Sequence, residues 1–341
     1  MNPSAAPAAA ETTFTRFLAD LNHEYVQLHV AKEDAFWAAY MGLTGDPVAA
    51  RNDLAAREIA LQRFLQSPEK LKAVREQLAR GEACLQAAVT AECPTQEEVT
   101  ALKGWLLTFE SNVIDSPSAR ALTEEIIADE GELANARGSM RLGYQVPDDE
   151  FVEASSVKLA QMIRTDPDPA LRKAAWEGMR SIEDHVLAHG FIDIIKKRNA
   201  LGRMLGGEDY YDWKVKRVEG MSKREIFDLL DDLEARTRDA AAQAIAALKA
   251  ERGADQVTPW SIQYLTMGDV ATAQDPYFPF ARSLERWGRS FAALGIDYNG
   301  ADLVLDLVDR KGKYENGFMH GPEPAWRDRG TYHRARIQFT A

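Results

Sequence analysis

The chain reads TQEEVTALKGWLLTF over residues 95–109, and this stretch has the pattern of an amphipathic helix. Thr95 is a favourable N-cap residue, and Glu98 stands three positions later, where its side chain can complete a capping box. Apolar residues then recur at intervals of three and four, which is the period of one helix face. We predict a helix that begins directly after Thr95.

The same signals recur from about residue 14 to about residue 300. Ser222 and Glu225 form a second capping box, which predicts a long helix to about residue 251. Ser116 followed by proline predicts the start of another helix. Further helices are predicted at 48–66, 68–79, 149–164, 168–188, 191–205 and 281–294.

Strand-like alternation is confined to the C-terminal forty residues. Residues 303–309 and 314–320 predict a hairpin across the turn at 310–313, and residues 336–339 alternate polar and apolar side chains. We therefore predict a mainly α fold, a multi-helix body with a small antiparallel β element at 302–341.

Three units are predicted along the chain. Residues 1–10 are rich in Ala and Pro and have neither the basic nor the apolar segment of a signal peptide, which predicts a disordered leader. A loose stretch at 137–147 predicts a boundary between an N-terminal helical lobe, 11–145, and a second helical unit, 146–341. Domains rarely end in an apolar strand with no closing element, so we expect polypeptide beyond Ala341.

Composition narrows the class of protein. A net charge of −12 and a pI near 5.1 argue against nucleic acid as a partner, because phosphate neutralisation needs a basic face. Cys84 and Cys93 make neither a disulfide framework nor a thiolate zinc site, which predicts a reducing compartment. No apolar run approaches the roughly 18 residues of a membrane span. We predict a soluble, cytoplasmic protein without a membrane partner; oligomeric state stays open.

Two patterns could hold a metal. His185 and His189 are four residues apart on a predicted helix, but position 186 is Val, where a zinc-peptidase helix needs a Glu as general base. The carboxylates at 124–132 lack the Glu-x-x-His pairs of a two-metal bundle site. We favour ordinary helix residues in both cases, with a metal site at His185, His189 and a distant carboxylate as the alternative.

The predicted hairpin has an edge. Such an edge offers unpaired N–H and C=O groups to an extended peptide, and Gly317 would permit a close approach of its backbone. A short covering sheet with a bulge at Gly317 explains the pattern equally well.

Four stretches together resemble the thimet oligopeptidase and oligoendopeptidase F family of zinc peptidases, over about residues 150 to 341. They are LRKAAWE at 171–177, KRNALGRMLG at 197–206, YFPF at 277–280 and DRKGKYENGFMH at 309–320. The resemblance implies a two-lobed, zincin-like helical body with a deep cleft. It also implies hydrolysis of peptide bonds in short peptides by one zinc ion.

In that family the zinc ligands and general base lie on an H-E-x-x-H helix, after the strand that corresponds to 336–340. No H-E-x-x-H occurs in this chain. The resemblance therefore implies catalytic and metal-binding residues downstream of Ala341 and none within the chain, which we expect to be inactive alone. The alternative is a non-catalytic helical module, derived from that fold, that binds peptides or a partner.

One site carries over to this chain. The resemblance implies that Asn316, Gly317 and Phe318 belong to an edge strand that pairs with the substrate backbone. It also implies that His320 is a neighbour of the substrate.

Overall fold

The computed structural model describes residues 13–87, 93–146, 150–310 and 312–340. The predicted disordered leader lies outside the described residues. The fold is mainly α, as predicted. The helices are α1 (Thr13–Tyr40), α2 (Pro47–Leu65), α3 (Pro68–Ala87), α4 (Gln96–Asn112), α5 (Pro117–Ser139), α6 (Ser156–Thr165), α7 (Pro169–Ala188), α8 (Phe191–Met204), α9 (Tyr210–Val218), α10 (Lys223–Arg252), α11 (Asp269–Gln274) and α12 (Ser283–Ala293).

Short strands separate and follow these helices. They are β1 (Gly143–Gln145), β2 (Phe151–Glu153), β3 (Asp302–Asp306), β4 (Phe318–Glu323), β5 (Trp326–Asp328), β6 (Thr331–His333) and β7 (Arg336–Thr340).

Both predicted capping boxes are confirmed. The backbone N–H of Glu98 donates to the Thr95 hydroxyl at 3.1 Å, and the Glu98 carboxylate accepts from the Thr95 N–H at 2.7 Å. Ser222 and Glu225 make the equivalent pair at 3.2 and 2.7 Å. These local hydrogen bonds satisfy N–H groups that have no partner inside the helix, which is why the starts of α4 and α10 can be located in the sequence.

The helix predicted from residue 149 is wrong at its start. Residues 151–153 form β2, which pairs antiparallel with β1, and α6 begins only at Ser156 with Ser155 as its N-cap. A Cβ on Gly143 would lie 2.1 Å from the Val152 carbonyl oxygen, so the pairing depends on a glycine at this position. The pairing of β2 with β1 therefore outweighs the helical sequence pattern at residues 151–153.

The expectation of no disulfide is also wrong. Cys84 and Cys93 form a disulfide with a Cα–Cα distance of 5.5 Å. Helix α3 continues to Ala87 rather than ending at 79, and this extension carries Cys84 to the position opposite Cys93, just before the N-cap of α4.

The helices pack as a connected row. Helix α1 packs on α2, α2 on α5, α5 on α8, and α8 on α9. The apolar core follows this order, with one cluster around Phe109 between α1 and α4, one around Ile126 between α5 and α8, and one around Leu159 between α6 and α7.

The C-terminal sheet differs from the predicted hairpin. Strand β7 lies in the centre, parallel to β3 and antiparallel to β4, so β3 and β4 are not neighbours. The segment between them docks on the end of α1: the Tyr314 N–H donates to the Tyr40 carbonyl at 2.7 Å, and Arg310 Nε donates to the Met41 carbonyl at 2.8 Å. These bonds separate β3 from β4 and leave the central place to β7.

Candidate functional site

Strand β4 is an edge strand in the described part of the sheet. One of its edges pairs with β7, and no other described strand pairs with it. One face of β4 packs against α1. The strand therefore presents a free backbone edge on a rigid support, which is the geometry that binds an extended peptide by strand addition.

The side chain of Phe318 faces the helical lobe. Its ring lies 5.9 Å from Phe36, 6.0 Å from Trp37 and 6.1 Å from Tyr314, centroid to centroid, in edge-to-face contacts. This aromatic cluster fixes the start of β4 against α1. A ligand on the free edge would meet the main chain of Phe318, because the ring is engaged on the other side.

His320 is buried between α1 and the sheet, with 9% of its surface exposed. One ring nitrogen, Nε2, lies 2.8 Å from a Glu33 carboxylate oxygen, and Nδ1 lies 2.8 Å from Gln338 Oε1. The ring also stacks on Trp37 at 5.7 Å with an interplanar angle of 4°. His320 thus ties β4 to both of its neighbours, α1 and β7.

Glu33 is the charged centre of this contact. Burial alone would raise its pKa, but hydrogen bonds from His320 and Lys32 outweigh burial and lower the pKa to about 2. Glu33 is therefore an anion throughout the physiological range. A second ion pair, from Arg336 on β7 to Asp34 at 2.6 Å, joins the same two elements at the surface.

Asn316 and Gly317 are exposed. They lie just before β4, in a bend that Glu315 anchors: its carboxylate accepts a hydrogen bond from the Ser156 N–H at 2.9 Å and one from the Ser156 hydroxyl. The positive end of the α6 dipole favours a carboxylate at this place. Of the four predicted site residues, these two offer accessible groups, while the side chains of Phe318 and His320 point into the fold.

Sequence reasoning missed the residues that position this strand. Glu33 and Gln338 hold His320, Glu315 holds the bend, and Arg310 holds the preceding segment by bonding Asp306 and Met41. The partners of Glu33, Glu315 and the Arg310 Nε group are distant in sequence, so no spacing rule could have paired them, whereas Asp306 and Arg310 stand four residues apart. Only the Ser155–Ser156 helix start gave a local signal for the Glu315 contact.

The histidines considered as metal ligands bond to backbone oxygens. His185 Nε2 lies 3.0 Å from the Ala136 carbonyl oxygen, and His189 Nδ1 lies 2.6 Å from the His185 carbonyl oxygen. Within residues 13–87, 93–146, 150–310 and 312–340, no group of three or more His, Cys, Asp or Glu is arranged to hold a metal ion.

Several segments after α9 expose apolar side chains. Helix α10 is 30 residues long and has no buried residue. Its apolar stripe is exposed, as are apolar residues on β3 and in the aromatic segment around 278. The exposed side chains include Phe227, Leu230, Leu233, Phe278, Phe280, Leu303 and Leu305. Exposed apolar patches are found at protein and membrane interfaces, in ligand-binding grooves and on aggregation-prone surfaces.

Comparison with known proteins adds no relative. The chain matches no family model, and no curated protein is similar enough to it to count as a match. Among the described helices, none is both long enough and apolar enough to cross a membrane.

Proposed function

We propose that this chain forms one wall of the cleft of a zinc-dependent oligoendopeptidase that hydrolyses peptide bonds in short peptides. The zinc ligands and the general base belong to polypeptide downstream of Ala341. The chain supplies the helical lobe and the strand on which substrate is aligned.

The exposed stripe of α10 carries this proposal. An amphipathic helix is stabilised in water when its apolar face is buried against another element. In the described chain α10 contacts α9, where the Phe227 ring lies 6.1 Å from that of Tyr211, but no residue of α10 is buried. Apolar side chains of β3 and of residues 278–280 are also exposed. Further polypeptide packed on these surfaces would give the second side of a cleft.

Strand β4 supports the substrate role. An extended peptide would pair with its free edge through main-chain hydrogen bonds, while Phe318 and His320 keep the strand fixed from behind. Main-chain pairing holds many peptide sequences in one orientation, because it does not depend on side chains. That property suits an enzyme of broad specificity for short peptides.

We assign the zinc chemistry to residues outside the described part of the chain. A catalytic zinc ion needs three protein ligands and an open position for water, and the described residues provide no such group. When bound, the metal lowers the pKa of its water to about 7. The part of this chain is to bind and orient the peptide.

A peptidase assay tests the proposal. The chain 1–341 should show no chelator-sensitive hydrolysis of a quenched fluorescent peptide. The protein extended through its downstream coding sequence should hydrolyse that peptide, lose activity with a chelator and regain it with zinc. Zinc-dependent turnover by residues 1–341 alone would refute the proposal, and so would a downstream sequence without zinc ligands.

Substitutions on the strand separate alignment from catalysis. In the extended protein, Asn316→Ala combined with Gly317→Val should raise KM about tenfold, with a smaller effect on kcat, because the added side chain blocks the approach of the peptide backbone. Gly288→Ala on α12, where a Cβ meets open space, is the matched control and should leave KM unchanged.

A non-catalytic binding module is the second candidate. The same exposed apolar stripe on α10 favours it, since that surface could serve a partner protein as well as further polypeptide. A termination codon directly after Ala341 in the intact gene, together with saturable peptide binding by 1–341, would establish this candidate.

A cytoplasmic location stays a prediction, and the Cys84–Cys93 disulfide makes it testable. In a reducing compartment glutathione keeps cysteines as thiols. Thiol labelling of the protein in freshly lysed cells should modify both cysteines before reduction. Labelling only after a reductant is added would indicate an oxidising compartment.

A further inference from the structure

The free edge of β4 presents one side chain on the face that points away from α1. Within residues 317–321, the side chains of Phe318 and His320 contact α1. Side chains alternate between the two faces of a strand, so Met319 lies on the opposite face, where it is 63% exposed. A peptide strand added to β4 would therefore meet the side chain of Met319 on that face.

Met319 is the last member of an apolar row across the sheet. In the strand register it lies opposite Phe339 of β7, which in turn lies opposite Leu305 of β3. Directly opposite residues have neighbouring side chains on one face of a sheet. The Trp287 ring of α12 packs on the half-buried Phe339 at a centroid distance of 5.1 Å. The row is thus covered in its middle and open at Met319.

The space along the strand beside Met319 is also open. Gly321 is the next residue of β4 on that face, and a Cβ there would meet no atom within 4 Å. Gly317, just before the strand, has no side chain either. A large side chain of a bound peptide therefore has room to lie against Met319.

The chemistry of methionine suits such a contact. Its side chain is unbranched and has a polarisable thioether, so it packs against apolar side chains of different shapes. In strand addition, main-chain hydrogen bonds give affinity, and the surroundings of alternate side chains give specificity. Met319 would select for a class of side chains rather than for one amino acid.

We propose that Met319 is a specificity-determining residue. The peptide that pairs with β4 carries a large apolar side chain, such as leucine, methionine or phenylalanine, at the position beside Met319. That side chain extends the row of Leu305, Phe339 and Met319 onto the peptide. This inference rests on the proposed function in one respect, the pairing of a peptide with β4, and it does not require hydrolysis.

Two capped peptides that differ at one position test the preference in the chain 1–341. One is Ser-Ala-Leu-Ala-Ser, acetylated and amidated at its ends, and the other has asparagine in place of leucine, a polar side chain of similar length. In NMR titrations, the shift of the Gly321 amide signal gives the Kd, and the shift of the Met319 methyl signal reports the side-chain contact. The leucine peptide should have a Kd about fivefold lower, the upper range for one cross-strand pair of side chains.

A substitution assigns that preference to Met319. Met319→Gln keeps the length of the side chain and should bring the two Kd values to within about twofold of each other, with the asparagine peptide bound as before. Met204→Gln, at an exposed methionine near the end of α8, is the matched control and should keep the fivefold difference. Circular dichroism verifies that both variants are folded.

The extended protein gives the same test under turnover. Leucine and asparagine are compared at each position of a quenched fluorescent peptide, and kcat/KM should favour leucine about fivefold at the position beside Met319. Met319→Gln should abolish the preference at that position and leave the others unchanged.

The outcomes separate this inference from the proposed function. Equal Kd values for the two peptides, an unchanged ratio in Met319→Gln, or no saturable binding of either peptide would overturn the inference. Zinc-dependent turnover without a leucine preference would overturn the inference and support the proposed function. A fivefold binding preference that Met319→Gln removes, in a protein whose extended form hydrolyses no peptide, would overturn the proposed function and support the inference.

Discussion

The region from α1 to α9 and the C-terminal third of the chain bury their apolar residues in different ways. Among the described residues, the buried hydrophobic core, with proline not counted, runs from Phe14 to Val215. Beyond Val215 the described chain buries only Ser261, Gly268, His320, Pro322, Gln338 and Thr340. The first region is completed by its own packing, whereas the second leaves amphipathic surfaces without a cover.

The contrast shows that helix formation and helix burial have different causes. Helices α4 and α10 begin with the same capping box and have similar apolar periodicity. Phe109 on α4 is completely buried, while Phe227 on α10 is 45% exposed. The local sequence determines that both are helices, and tertiary contacts determine which one is stabilised by packing.

Truncation of one aromatic side chain in each region gives the largest expected difference. Phe109→Ala should lower the free energy of unfolding by about 3–5 kcal/mol, because it removes a buried ring and leaves a cavity. Phe227→Ala should lower it by no more than about 1.5 kcal/mol, because this ring is 45% exposed and its described ring contact is an edge-to-face pair with Tyr211. Urea denaturation of both variants checks this; equal losses would mean that α10 is packed in solution.

The stabilisation that the Glu33–His320 contact gives between α1 and β4 should depend on pH. The folded-state pKa of Glu33 is about 2, below the value near 4.5 of a free glutamate, so its contribution is fully present above about pH 4.5 and is lost as pH falls towards 2. That shift corresponds to about 3 kcal/mol.

Comparison with a glutamine variant isolates this effect. Glu33→Gln should remove that component of the pH dependence, whereas Glu69→Gln, a control at an exposed carboxylate, should retain it. Urea denaturation between pH 2.5 and 6 measures both. An unchanged slope in Glu33→Gln would show that the His320 contact contributes little.

The disulfide should stabilise the helical lobe specifically. Cys84 and Cys93 close a loop of about ten residues, for which the entropic model gives about 2–3 kcal/mol. Thermal unfolding of the double variant Cys84→Ser and Cys93→Ser should show a lower Tm than the oxidised chain. A reductant should also lower the Tm of the unaltered chain. If it leaves that Tm unchanged, the disulfide is absent or does not contribute to stability.

The smallest expected effect is at Gly42, which follows α1 and lies against Gly312. Its φ is +59°, and a Cβ there would lie 2.8 Å from the Gly312 carbonyl carbon. Gly42→Ala should therefore cost about 1–2 kcal/mol of unfolding free energy. Gly45→Ala, where a Cβ meets open space, is the control and should cost little. Similar losses of unfolding free energy in both variants would mean that Gly312 does not lie close to Gly42 in solution.

Sequence alone predicted the features that depend on neighbours along the chain. The capping boxes at Thr95 and Ser222 involve residues three apart, and the strands at 302–306 and 336–340 were visible as alternation. The mainly α class follows from these patterns.

Features that depend on distant contacts were not predictable. Strand β2 forms because Gly143 allows Val152 to approach, and β7 takes the central place because Arg310 and Tyr314 dock on the end of α1. The roles of Glu33 and Gln338 at His320 need the folded arrangement of α1 and the sheet, since 287 residues separate Glu33 from His320.

Hydrogen–deuterium exchange of α10 tests the central claim most directly. The chain 1–341 and the protein extended through its downstream coding sequence are compared, with α4 as the internal reference. Our account predicts that amides of residues 223–252 exchange at least about tenfold more slowly in the extended protein, because further polypeptide covers the apolar stripe, while α4 is unchanged. Equal exchange of α10 in the two proteins would contradict it.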